Sequence, residues 1–240
     1  MAGHAVGMIE MGSGGGGRVM VTADLTSSMP AYYGGIATTL IAVATSLGGE
    51  WGLVSHMDYG ISAVLSNGQT AYYGILPEDY AFRINTGWTT PAAFVTAVKA
   101  LPTNGYGNDS AENYSRVLWE LSQADTIRRL GGAVNGWTLM VLDSLPHWRG
   151  GPTGNQPWTD SIDPGRRADG SSATYPYIGG FNIDFVRDGI NPLRAQGSKI
   201  CVWDVYGYNP GFWTRYADAY TSVTPGSAGA TIRLKQILSS

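Results

Sequence analysis

The chain has 240 residues, a formal net charge of -3 and only 14% charged residues. That is enough chain for one sizeable core, and the charge offers neither a basic face for nucleic acid nor a polybasic patch for an anionic membrane. A single cysteine, Cys201, excludes an internal disulfide framework, and no apolar run approaches the roughly 18 to 20 residues that membrane insertion needs.

In chain order, the N-terminal MAGHAVGMIEM lacks the basic start and long apolar centre of a signal peptide. The glycine run at 12–17 has no side chains to bury. Residues 1–17 therefore read as a glycine-rich N-terminal extension or linker, and 18–240 as one domain. Residues 19–23 fit a short strand buried on both faces. Ile36, Leu40, Val43 and Leu47 then recur at helical spacing, stopped by Gly48 and Gly49. Trp51 to His56 predicts the next strand, and 69–75 and 80–84 predict edge strands around the turn residues Pro77, Glu78 and Asp79. Thr90 and Pro91 open a helix carrying Phe94, Val95 and Val98. A second helix carries Tyr114, Val117, Leu118 and Leu121 on one face, and Trp137 to Leu142 is a fully apolar strand. Residues 144–180 are almost all Gly, Pro, Ser, Thr, Asp and aromatics, a loop insertion longer than any ordinary connection. Beyond it the pattern predicts a helix within 181–193, a strand over 200–205, a helix over 212–220 and a final strand or helix over 230–238. Strands alternating with helices predict an α/β fold, a doubly wound, mostly parallel central sheet with helices on both faces. Such sheets bind ligands at the carboxyl ends of their strands.

Two of the apolar strands give out in an acid, Asp24 and Asp143, which a parallel sheet puts on one rim. Two carboxylates about 4 Å apart repel by about 4 kcal/mol at an effective dielectric of about 20, so a cation or a proton belongs between them. Thr26 and Ser28 alternate with Asp24 as D-x-T-x-S, three oxygens that the departing chain can turn to one point. Oxygen donors without Cys or His suit a hard cation, Mg²⁺ first, with Mn²⁺ or Ca²⁺ as alternatives. Neutral hydroxyls leave such an ion electron-poor, with a position open to an outside acid. The competing reading is a helix cap, with Ser27 or Ser28 ahead of Met29 and Pro30. A further acid-bearing turn, Gly107 to Glu112, precedes the Tyr114 helix. Asp109 and Glu112 could equally serve that helix's N-terminus.

Four segments then stand in a telling order: DLTSS at 24–28, VSHMDYG at 54–60, GNDSAEN at 107–113 and LMVLDSLPH at 139–147. They resemble the DxSxS, VGYRDYG, GGDxPEN and LLTDAPPH stretches of von Willebrand factor A domains, in the integrin-beta-like and hemicentin-like branch. The resemblance implies a Rossmann-like fold with a metal-ion-dependent adhesion site. It implies direct metal contacts from Thr26, Ser28 and Glu112, contacts mainly through water from Asp24 and Asp143, and support from Asp109 to the site or to a neighbouring cation. The departures count too. Ser28 is followed by Met-Pro-Ala-Tyr rather than paired acids, so the adjacent calcium site of integrin beta is not expected, and Gly107 argues against a third cation.

Among the remaining residues, Asp58 could orient a metal-bound water or simply hold its turn. His147 could contact a ligand or stabilise a turn, and His56 reads as a satisfied core histidine. Trp148, Trp158, Tyr175 and Tyr177 could form a partner-binding surface near the metal or fold back over a sheet edge. Asp160, Asp163 and Asp169 read as solvated loop acids beside Arg166 and Arg167. The expectation is a non-enzymatic binding module whose rim cation takes an acidic group of a protein or other ligand, on an extracellular surface or a virion. Two alternatives stand beside it. One is a structural protein of a surface fibre or virion that assembles with copies of itself or with other structural proteins. The other is a glycan hydrolase using rim acids beside tryptophans.

Overall fold

The computed structural model describes residues 17–57, 61–64, 70–73, 82–103, 111–112, 114–146, 159–160, 183–208 and 210–240. The chain runs β1 (Arg18–Asp24), α1 (Tyr33–Leu47) and β2 (Glu50–His56), then the hairpin β3 (Ile61–Val64) and β4 (Thr70–Tyr73). It continues with β5 (Arg83–Thr89), α2 (Pro91–Lys99), β6 (Ala111–Glu112), α3 (Tyr114–Ser122) and α4 (Ala124–Leu130). The second half holds β7 (Gly136–Leu142), β8 (Leu145–Pro146), β9 (Thr159–Asp160) and β10 (Ile183–Asp184), and a π-helical stretch, Phe185–Ile190, that runs into α5 (Asn191–Ala195). It closes with β11 (Ser198–Asp204), α6 (Pro210–Tyr216), β12 (Ala219–Thr221) and α7 (Ala228–Leu238).

Six strands form the central sheet in the order β12-β11-β7-β1-β2-β5, parallel throughout except where β5 runs against β2. The fold is thus an α/β fold with a mostly parallel, doubly wound sheet. Every residue from Val19 to Asp24 is buried, as a strand covered on both faces requires. The two-residue period sorts their side chains. Val19, Val21 and Ala23 join a core with Ile36, Leu40, Phe94, Val98 and Leu234, so α1, α2 and α7 cover one face. Met20 and Met140 join a second core with Val117, Leu118, Leu193 and Trp213, so α3, α5 and α6 cover the other. Among the described residues no helix is long and apolar enough to cross a membrane.

Several expected elements are corrected. The segment expected at 69–75 is β4, paired with β3 in a sheet of its own rather than at the edge of the main one. The edge strand expected over 80–84 is β5, Arg83–Thr89. The helix expected over 212–220 stops at Tyr216, and Ala219–Thr221 becomes edge strand β12. Asp218 forces that break. Its N–H donates to the Ile200 carbonyl at 2.8 Å while its carboxylate accepts the Ile200 N–H at 2.8 Å, tying it to β11. The helix expected within 181–193 is present as the π-helical stretch Phe185–Ile190 running into α5, preceded by the two-residue strand β10. Most of 144–180 lies outside the described residues, which there include only 144–146 and the short strand β9.

Candidate metal centre

The chain winds outward from β1 in one direction through β2 to β5 and in the other through β7 and β11 to β12, so the strand order reverses between β1 and β7. At such a reversal the two departing connections leave on opposite faces and a crevice opens beyond the carboxyl ends. Asp24 is the last residue of β1 and Asp143 follows the last residue of β7. In register, Ala23 lies beside Val141, so the two acids flank this reversal on neighbouring strands, which run about 4.8 Å apart.

The loop after β1 is folded around Asp24. Its Oδ1 accepts the Thr26 N–H at 2.9 Å and the Thr26 hydroxyl at 2.6 Å, and its Oδ2 accepts the Tyr114 hydroxyl at 2.5 Å. The Thr26 and Ser28 hydroxyl oxygens lie 3.4 Å apart, and Tyr33 donates its hydroxyl to the Thr26 carbonyl at 3.2 Å. Helix α1 begins only at Tyr33, with Tyr32 as its first flanking residue and no side-chain cap. The capping reading of Ser27 and Ser28 is therefore not realised, and the Ser28 hydroxyl instead hydrogen-bonds Asp143.

Asp143 is 5% exposed, and its Oδ1 has no hydrogen-bond partner. Burial first, then the charge of Asp24, push its carboxyl up to about 6; Asp204 adds to the rise, while hydrogen bonds from Ser28 and the backbone oppose it. A buried, unpaired carboxylate oxygen facing a second acid is the arrangement that a cation relieves. The donors fit a hard ion: carboxylate and hydroxyl oxygens, with no three His, Cys, Asp or Glu side chains gathered into a cage among the described residues.

Asp204 is the site residue that the sequence reading passed over. It ends β11 beside Leu142, giving a third strand-end acid in line with the other two. Its own bonds are made within the protein: Oδ1 accepts the N–H groups of Tyr206 at 3.2 Å and Gly207 at 2.7 Å, and Oδ2 accepts the Tyr220 hydroxyl at 3.1 Å. Burial, followed by the Asp204 charge, pushes the Tyr220 hydroxyl up to about 12. The Tyr32 hydroxyl is also raised, by burial, then by Tyr206 and Asp143, and its ring meets Tyr206 edge-on.

The Glu112 backbone is brought to the same end of the sheet: β6 pairs in parallel with β8, Glu112 opposite Pro146, three residues past Asp143. Two residues beyond Glu112, the Tyr114 side chain reaches Asp24. Asp58, Asp109, His147, Trp148, Trp158, Tyr175 and Tyr177 lie outside the described residues. His56 is buried and packs edge-on against Tyr114, ring centroids 5.4 Å apart, as a core histidine should.

No protein-family model and no curated protein matches this chain. Among solved structures, it is similar to the pilus adhesin SpaC of Lactobacillus rhamnosus GG, at 13% identity and a TM-score of 0.47 over 93% of this chain and 30% of that one. It is similar to a von Willebrand factor type A protein of Catenulispora acidiphila, at 11% identity and a TM-score of 0.46 over 93% of this chain and 42% of that one. A third is the three-domain N-terminal part of the type V pili tip protein Mfa5 of Porphyromonas gingivalis, at 12% identity and a TM-score of 0.47 over 92% of this chain and 49% of that one. The chain spans less than half the length of each of these structures.

Proposed function

We propose that the protein is a binding module in which a divalent cation, Mg²⁺ first and Mn²⁺ or Ca²⁺ as alternatives, takes an acidic group of a partner at the rim between β1 and β7. The observation that carries this reading is the unpaired, buried Oδ1 of Asp143 beside Asp24 and the Thr26 and Ser28 hydroxyls. Asp143, Ser28 and Thr26 would hold the ion, Asp24 would orient the Thr26 hydroxyl, and Glu112 is the proposed further ligand. The ion supplies positive charge for a carboxylate, and no bond in the partner need break. The proposed setting is an extracellular surface or a virion.

Thermal melting across a magnesium titration tests the reading. If only the folded form binds, magnesium at about 100 times its dissociation constant adds about 2.7 kcal/mol. For a domain of this size that is a rise of about 5 to 10 °C. Asp143→Asn and Asp24→Ala should each remove the increment. A wild-type melting curve indifferent to magnesium, manganese and calcium rejects the site.

A further inference from the structure

Position 114 opens α3, on the face that carries Val117, Leu118 and Leu121 into the second core. Packing there asks only for an apolar ring. The Tyr114 ring meets the demand: it is 1% exposed, edge-on to His56 of β2 with centroids 5.4 Å apart, and T-shaped to Trp213 of α6 at 5.9 Å. Phenylalanine would fill the same space. The hydroxyl is a polar group added to that buried position, and burying one is costly unless it is hydrogen-bonded.

That hydroxyl crosses to another loop, 90 residues back in the chain, and donates to Asp24 Oδ2 at 2.5 Å. A hydroxyl-to-carboxylate bond of this length belongs to the short, charge-assisted class. The other oxygen of the same carboxylate serves its own loop, accepting from the Thr26 N–H and hydroxyl. With its proton committed to Asp24, the Thr26 hydroxyl keeps its lone pairs for a cation. Asp24, 1% exposed, is therefore a junction between the loop after β1 and the start of α3. Glu112 lies two residues before Tyr114, so its Cα is confined to within about 7 Å of that anchored residue. On its other side the Ala111–Glu112 strand pairs with Leu145 and Pro146 just past Asp143.

We propose that Tyr114 is a positioning residue for the rim site: its hydroxyl ties the start of α3, and with it Glu112, to the Asp24 loop, so that the segment bearing the further ligand is set in place before an ion arrives. This rests on the metal-dependent reading above, with Glu112 as a ligand. Fixing that segment in advance removes an ordering cost from ion binding, and the hydroxyl therefore acts on affinity without touching the ion.

The test is a double-mutant cycle read by magnesium calorimetry on the full chain, joined to amide hydrogen exchange in chelator. Tyr114→Phe should weaken magnesium binding about tenfold, Glu112→Ala should weaken it as well, and Tyr114→Phe added to Glu112→Ala should cost nothing further. In chelator, Tyr114→Phe should speed exchange of the Ala111 and Glu112 amides about tenfold and leave those of β7 unchanged. Should Tyr114→Phe fail to fold, Asp24→Asn weakens the same bond from the acceptor side and takes its place in the exchange measurement. Wild-type magnesium affinity in Tyr114→Phe, an equal loss in both backgrounds, or Glu112→Ala without effect overturns the positioning role and leaves an ion held by the β1 and β7 loops. Exchange accelerated equally in β7 marks a general loss of packing and overturns it too. A wild-type chain that binds no magnesium, manganese or calcium overturns the metal reading and this one together.

Discussion

Asp143 is costly to keep ionised. Its carboxyl is pushed up to about 6, from an ordinary 3.8, chiefly by burial and then by Asp24. In metal-free protein the folded state therefore binds that proton more tightly than the unfolded chain does. The resulting stability is full below the ordinary value and is lost as pH rises through about 6. A rise of about two pKa units corresponds to roughly 3 kcal/mol at most. Urea midpoints in chelator should therefore fall as pH is raised across 6, and Asp143→Asn should flatten this dependence and raise the neutral-pH midpoint. Magnesium should restore neutral-pH stability to the wild type alone. Asp24 and Asp143 were legible because each interrupts an apolar run at a strand end. Asp204 carries the same signature in Ile-Cys-Val-Trp-Asp, but extending the strand to Val205 hid it inside the run.

At the level of elements, β1, α1, β2 and β7 could be read from the chain because each combines an unbroken apolar pattern with a clear stop. β5 was legible only at its first two residues, since Asn, Thr and Gly leave the rest half-buried, and pairing with β2 carries it on to Thr89. The break at Asp218 and the short β12 likewise arise from contacts with β11. The start of β7 offers a sharp test. Gly136 has a φ of +100°, and a Cβ there would run into the Arg18 carbonyl oxygen of β1. Gly136→Ala should cost about 2 to 4 kcal/mol by strain and displacement of the neighbouring strand. Gly34→Ala, inside α1 with open space around it, should not destabilise. Urea denaturation of the two variants makes the comparison.

Across the whole molecule, one sheet separates two cores, and the crevice at its winding reversal gathers groups from β1, β7 and β11 whose sequence positions are far apart. Ion binding there should hold those strands together as a unit. Cys201 gives a way to watch this. It lies within β11, fully buried, with its thiol pushed up by burial to about 12. The chain has no second thiol, so a sulfhydryl reagent can mark the protein only during moments when this interior strand comes open. When closing outpaces labelling, magnesium at about 100 times its dissociation constant should slow the reaction about a hundredfold. One native atom, silent while the sheet is shut, thereby clocks how tightly the far rim is clasped.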